Sequence, residues 1–184
     1  MDKRIIKTKE AIFEAFFDLL NESTFQQISV GDIIEKANIG RSTFYSHFTS
    51  KDDLLTAVCQ HLFDHVFVTA SYAEHRLDEN NTKNFEDSLA DRVAHLFYHF
   101  KQNDDKVLTL FRLNDDYFRR NLREQLAQHL SPAVKDYFFK GSQLPPLLLQ
   151  QHIISTFITC LSWWLRDAPE KSTEEMSQFF LELI

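Results

Sequence analysis

The sequence predicts an all-α fold, with an N-terminal three-helix helix-turn-helix unit joined by a long helix to a C-terminal helical bundle. Three observations carry this. Glycine occurs only at Gly31, Gly40 and Gly141 and proline only at Pro132, Pro145, Pro146 and Pro169, too few turn residues for a many-stranded sandwich. Apolar residues recur at helical spacing along most of the 184 residues. Short hydroxyl-and-acid pairs three residues apart precede several of those runs, the pattern of helix N-termini.

The first helix is expected from about Asp2 to Leu20, with Ile12, Phe16, Leu19 and Leu20 forming one apolar stripe. Asn21 to Gln27 is a polar link holding one core candidate, Phe25. Ser29 then caps a short helix with Asp32 in the reciprocal position, and Val30, Ile33, Ile34 and Ala37 are its apolar residues. Asn38-Ile39-Gly40 breaks the pattern, because asparagine and glycine tolerate left-handed backbone. A second short helix follows at about Arg41 to Phe48. Ser50 caps the next, with Asp53 as its acid, and this long helix is expected from Lys51 to about Tyr72.

Beyond the Asn80-Asn81-Thr82 break, helices are expected at about Lys83 to Gln102 and Asp105 to Leu113. Another covers about Asp115 to Leu130, restarted by Ser131-Pro132 and closed by Gly141. The last two run from about Pro146 to Arg166 and from Thr173 to Leu183, the latter capped by Ser172 with Glu175. The expected division is residues 1–50 and 51–184.

Composition narrows the function. The chain is 43% hydrophobic and 26% charged, an ordinary globular balance. Its net charge of −7 lies wholly beyond Lys51, since residues 1–51 hold equal numbers of acids and bases. Only that neutral head is suited to face a polyanion. Glycines at 31, 40 and 141 allow no GxGxxG or P-loop spacing, and no GxSxG or HExxH occurs, so the chain is not expected to be an enzyme. Asp104-Asp105 and Asp115-Asp116 are explained as helix-start acids. Cys59 and Cys160 form no CxxC and signal neither a zinc site nor a disulfide. The His61/His65 and His95/His99 pairs have chelating i, i+4 spacing, but no third ligand is spaced to complete a site, so no metal and no cofactor are expected. With no signal peptide and no uninterrupted apolar run of spanning length, no membrane role and a cytoplasmic location are expected.

Residues 29–48 carry the function. If Phe44 and Phe48 anchor the second short helix against Ile33, Ala37 and Ile39, then Ser42, Thr43 and Ser46 face outward. Small hydroxyls let a helix approach base edges. Arg41, Tyr45 and His47 flank that face within reach of phosphates, and Lys51 opens the next helix. Ser/Thr faces also occur merely for solubility, so the pattern alone leaves DNA binding and plain packing open.

The run of Ile33, Ile34, Ala37, Ile39, Arg41, Ser42, Thr43, Phe44, Tyr45, His47, Phe48, Lys51 and Leu54, extended upstream to Ile12, Ala15, Phe16 and Phe25, resembles the DNA-binding domain of TetR-family transcriptional regulators over about residues 5–58. The resemblance implies a homodimer bound to a double-stranded DNA operator. It implies that Tyr45, His47 and Lys51 touch the DNA backbone, that Arg41, Ser42, Thr43 and Ser46 face the major groove, and that Ser29 caps its helix beside a phosphate. Asn38 stands where the family usually has glycine, and Gly40 where it usually has a hydroxyl residue.

It further implies a small-molecule effector bound among the C-terminal helices, where Phe63, Phe67, Phe97, Phe100, Phe111 and Tyr117 are the aromatic candidates. Trp163-Trp164-Leu165-Arg166 resembles the ending of one C-terminal subgroup. The two terminal helices are expected to pair with a second copy through Phe157, Leu161, Trp164, Met176, Phe179 and Phe180, the alternative being that they complete the monomer core. The expected function is thus a ligand-responsive regulator, most simply a repressor; the alternative is a TetR-like coactivator that contacts protein and not DNA.

Overall fold

The computed structural model describes residues 3–68, 89–113, 116–138 and 143–184. Every regular element among them is a helix: α1 Lys3–Glu22, α2 Val30–Lys36, α3 Arg41–His47, α4 Lys51–Phe63 continued by a π-helical turn Asp64–Val68, α5 Leu89–Lys101, α6 Asp104–Arg112, α7 Asp116–Phe138, α8 Pro146–Asp167 and α9 Thr173–Leu183. The expected extension of the fourth helix to Tyr72, the Asn80-Asn81-Thr82 break, the start at Lys83 and the Gly141 stop lie outside the described residues. Among the described residues no helix is long and apolar enough to cross a membrane.

Serine side chains cap the starts of α2, α4 and α9. Ser29 and Ser172 each accept a backbone N–H three residues on, while Asp32 and Glu175 accept the cap's own N–H in return. The turn after α2 is a Schellman motif: Asn38 N–H donates to the Glu35 carbonyl at 3.1 Å and Ile39 N–H to the Ile34 carbonyl at 3.1 Å. Asn38 takes φ of 51°, the left-handed conformation this motif requires. Asn38→Gly should therefore leave stability unchanged or raise it. Asn38→Ala should cost about 1 kcal/mol, lowering Tm by roughly 2–4 °C in a thermal melt.

One sequence expectation is corrected in α7, which runs unbroken past Ser131-Pro132 instead of restarting there. A proline removes one intrahelical hydrogen bond, and burial of Leu122, Leu126 and Leu130 in the preceding turns holds the helix down where it loses that bond.

The paired C-terminal helices pack against other helices of the same chain. Phe157, Leu161, Trp164, Met176 and Phe180, expected at a subunit interface, are buried within this chain. α5 lies along α9 and covers them. Phe97 of α5 stacks on Phe157 with ring centroids 4.5 Å apart and meets Trp164 edge-on at 5.6 Å. Phe180 closes the cluster against Phe157 at 5.6 Å. Only Phe179 of the six stays partly exposed, 6.5 Å from the exposed ring of Trp163.

The N-terminal helices are joined to this body by two polar contacts between α1 and α6. Lys106 Nζ pairs with Glu14 Oε1 at 2.8 Å, and Thr109 Oγ1 lies 2.8 Å from Asn21 Oδ1. A small cleft of about 190 Å³ opens beside them, floored by Phe13, Phe17, Val58 and Leu62.

Candidate nucleic-acid interface

Two helices of seven residues each, α2 and α3, cannot hold themselves. Burial of Ile33 from α2, of Phe44 from α3 and of Phe48 at the end of α3 fixes them to the head's core. Phe44 and Phe48 rings lie 5.8 Å apart, and Phe13 of α1 reaches Phe48 at 6.0 Å. With these rings turned inward, α3 leaves Arg41, Ser42, Tyr45 and Ser46 exposed, and Thr43 and His47 half-buried. The Tyr45 ring rests edge-on against Phe44 at 5.4 Å and stays 48% exposed. Its apolar body is thereby oriented while its hydroxyl remains available. Ser46 Oγ donates to the Thr43 carbonyl at 2.7 Å, so its oxygen is presented outward as an acceptor.

The flanks differ in how far each side chain is committed elsewhere. Ser29 is exposed, but its hydroxyl donates to Asp32 Oδ2 at 2.7 Å. The Ser29 backbone N–H, then its hydroxyl, hold the Asp32 carboxyl below its ordinary value, with Lys51 adding a smaller favourable charge. Gly40 caps α3 with backbone alone at φ −78°, ψ 152°, a conformation open to any residue. A Cβ there would meet Ser42 and Thr43 oxygens at ordinary contact distances of 3.8 and 3.7 Å. Hence the glycine is not required by the fold, and its effect is the missing side-chain cap.

Lys51 is the residue whose surroundings the sequence did not reveal. It is half-buried, with Nζ donating to the carbonyls of Phe25 and of Ile28, the latter at 2.6 Å. The same ammonium sits 4.3 Å from the centroid of the Phe25 ring. No spacing rule links residues 25, 28 and 51; only the fold brings them together.

The expected effector phenylalanines lie in one connected network of rings. Phe97 and Phe100 join Phe157 in the cluster against α8, while Phe63 stacks on Phe118 at 5.7 Å and Phe67 meets Phe100 at 5.9 Å. Phe111 and Tyr117 remain partly exposed, Phe111 edge-on to Phe118 at 5.3 Å and the Tyr117 hydroxyl accepting from Asn121 at 3.1 Å. His95 and His99 Nε2 atoms lie 3.3 Å apart. Among the described residues no three His, Cys, Asp or Glu side chains group as a metal site.

Comparison with known proteins agrees with this geometry. Residues 12–58 match the family model for bacterial regulatory proteins of the tetR family, and residues 87–184 match that for a transcriptional regulator C-terminal region. The solved structure of a TetR transcriptional regulator from Streptococcus agalactiae is similar along the chain, with 34% identity, a TM-score of 0.75, and coverage of 99% of this chain and 96% of that one. The uncharacterized HTH-type transcriptional regulator YxbF of Bacillus subtilis is 37% identical over 84 residues, which are 43% of this chain and 22% of that protein. The dhaKLM operon transcriptional activator DhaS of Lactococcus lactis is 39% identical over 61 residues, 33% of each. The chain thus spans between about a fifth and a third of the length of these two curated relatives.

Proposed function

This chain belongs to the TetR family of bacterial regulatory proteins, and from that premise we propose that it is a sequence-specific DNA-binding transcriptional regulator, a ligand-responsive repressor that works as a cytoplasmic homodimer. The observation that carries the reading is the division of α3 into two sides. Phe44 and Phe48 are spent on the core, and a small, hydroxyl-bearing face with Arg41 at its start is left outside. Residues 1–50 are the DNA-binding unit in this reading and 51–184 the regulatory one.

The division of labour on DNA follows from chemistry. Ser42, Thr43 and Ser46 approach base edges in the major groove, and Arg41 is the side chain able to make a bidentate contact to guanine. Tyr45, His47 and Ser29 reach sugar–phosphate oxygens, which set register and carry no sequence information. Two heads read half-sites ~34–36 Å apart only if a dimer holds them at that separation. Because the inner stripes of α8 and α9 are consumed by α5, the second copy is assigned to their outer faces, around Trp163, Phe179 and the exposed Leu183.

An effector weakens operator binding only by preferring a conformation in which the heads are wrongly placed. The Glu14–Lys106 and Asn21–Thr109 contacts support such coupling, since they connect α1 of the head directly to α6 of the body. The likeness to an activator, DhaS, favours activation as the second reading. Deleting the gene should raise transcription from its own bound promoters under repression and lower it under activation.

The test of DNA binding uses duplexes selected from a random-sequence pool and fluorescence anisotropy across a salt series. Wild-type protein should bind the selected duplex with an affinity that falls as salt rises. Arg41→Ala should cost about 1–3 kcal/mol and relax preference at one position of each half-site. Protein that enriches no duplex, or whose binding ignores salt and these changes, would rule the reading out in favour of a protein-contact regulator.

A further inference from the structure

The two short helices that present the outward face have an entry, capped by Ser29, and an exit at Phe48. The chain enters α2 through the 23–29 link and leaves α3 through residues 48–50 into α4. In the link Thr24 and Gln27 bond to each other, and the Phe25 ring and the backbone carbonyls of Phe25 and Ile28 face Lys51. Lys51, the first residue of α4, reaches back across this opening. Its ammonium donates to the Phe25 and Ile28 carbonyls and lies over the Phe25 ring, while its own backbone begins the helix that follows α3.

A lysine ammonium has three N–H donors and one compact charge. Here two donors and one face of the charge are turned into the protein. Ile28 is buried and immediately precedes the Ser29 cap, so the bond to its carbonyl fixes where α2 starts relative to where α4 starts. α3 lies between those two points and is too short to adjust independently.

We propose that Lys51 is a positioning residue for the recognition helix, not a phosphate ligand: by clamping the entry and exit of the helix-turn-helix it sets how α3 is presented to DNA. This rests on the DNA-binding reading above and changes the role that reading's family resemblance implies for Lys51. It separates the basic side chains of the head by function. Arg41 and His47 act on the duplex, and Lys51 acts on the protein.

Lys51→Met keeps the aliphatic stem on Phe25 and removes both carbonyl bonds. Binding of wild type and variant is measured on a selected duplex and on a random-sequence duplex of equal length, in a salt series at a temperature where circular dichroism shows both proteins folded. Affinity for the selected duplex should fall by on the order of tenfold, as expected on losing hydrogen bonds to a charged donor. Affinity for the random duplex should hold within about twofold, and the slope of log K against log salt should be unchanged, since no phosphate contact has gone.

A slope shallower by about 0.9, with equal loss on both duplexes, would overturn the proposal by placing the ammonium on a phosphate. Unchanged affinity with a lowered Tm would overturn it too, reducing Lys51 to a stabilising role. If Lys51→Met does not fold, Lys51→Arg takes its place. It keeps the charge but substitutes a planar fork for the compact head, so selectivity should fall at constant slope, and wild-type selectivity would count against the proposal. Wild-type protein that binds neither duplex would defeat the DNA-binding reading itself, an outcome distinct from these.

Discussion

Phe44→Ala should abolish duplex binding while leaving the body of the protein folded. Phe44 is fully buried in the head, between the Phe48 ring at 5.8 Å and the Tyr45 ring at 5.4 Å. Truncating a buried phenylalanine costs about 3–5 kcal/mol, from lost transfer energy together with the cavity left behind. That sum rivals the whole stability of a small unit, and α2 and α3 contribute little of their own at seven residues each. The loss should therefore appear as local unfolding of the head.

The two tryptophans make this separable, because Trp163 and Trp164 both lie on α8, far along the chain from the head. Tryptophan emission of Phe44→Ala should match wild type at low denaturant, while ellipticity at 222 nm falls and duplex binding disappears. Ser46→Ala, on the exposed side of the same helix, should leave emission and ellipticity intact. Retained high-affinity binding by Phe44→Ala would mean that α3 does not depend on this anchor.

The head was legible in the sequence because its determinants are local. Ser29 with Asp32, the Asn38 turn and the Phe44/Phe48 spacing each lie within a few residues, and each appears in the structure as expected. Ser50 also caps α4 as expected, although the Asp53 carboxylate bonds to the Thr49 N–H and hydroxyl and not to the Ser50 backbone. The clamp at Lys51 was hidden for the opposite reason. Its acceptors are backbone carbonyls 23 and 26 residues away, and every residue has such a carbonyl, so no residue type marks them. The π-helical turn at Asp64–Val68 likewise carries no periodicity signal in a five-residue stretch.

The body shows what periodicity cannot supply. The stripe of Ile153, Phe157, Leu161 and Trp164 announces that one side of α8 is covered, but a stripe names no partner. The sequence neighbours α8 and α9 suggested one another and a second subunit. α6, α7 and α9 all pack on α8, and the rings set against the stripe come from α5, about sixty residues upstream, through Phe97 and Phe100.

This assignment leads to the second large effect, at Phe157. Its ring stacks on Phe97 at 4.5 Å and touches Phe100 and Phe180 at 5.9 and 5.6 Å, all within one chain. Phe157→Ala should accordingly destabilise each subunit by about 3–5 kcal/mol. The size alone would not distinguish a core residue from an interface residue, but the concentration dependence does. Stability lent by a partner obeys mass action and grows with protein concentration, whereas stability from the subunit's own core does not.

The Tm deficit of Phe157→Ala relative to wild type should thus stay constant from micromolar to hundreds of micromolar protein, and the oligomeric state by light scattering should be unaltered wherever the variant is folded. Trp163→Ala should show the reverse pattern, with a small loss of subunit stability and a dissociation constant raised by at least tenfold, because its ring is 40% exposed beside Phe179 on the outer face. A Phe157→Ala deficit that vanished at high concentration would return the inner stripe to the interface and require α5 to lie elsewhere. A constant deficit, with Trp163→Ala dissociating the protein, would place the second copy on the outer faces of α8 and α9.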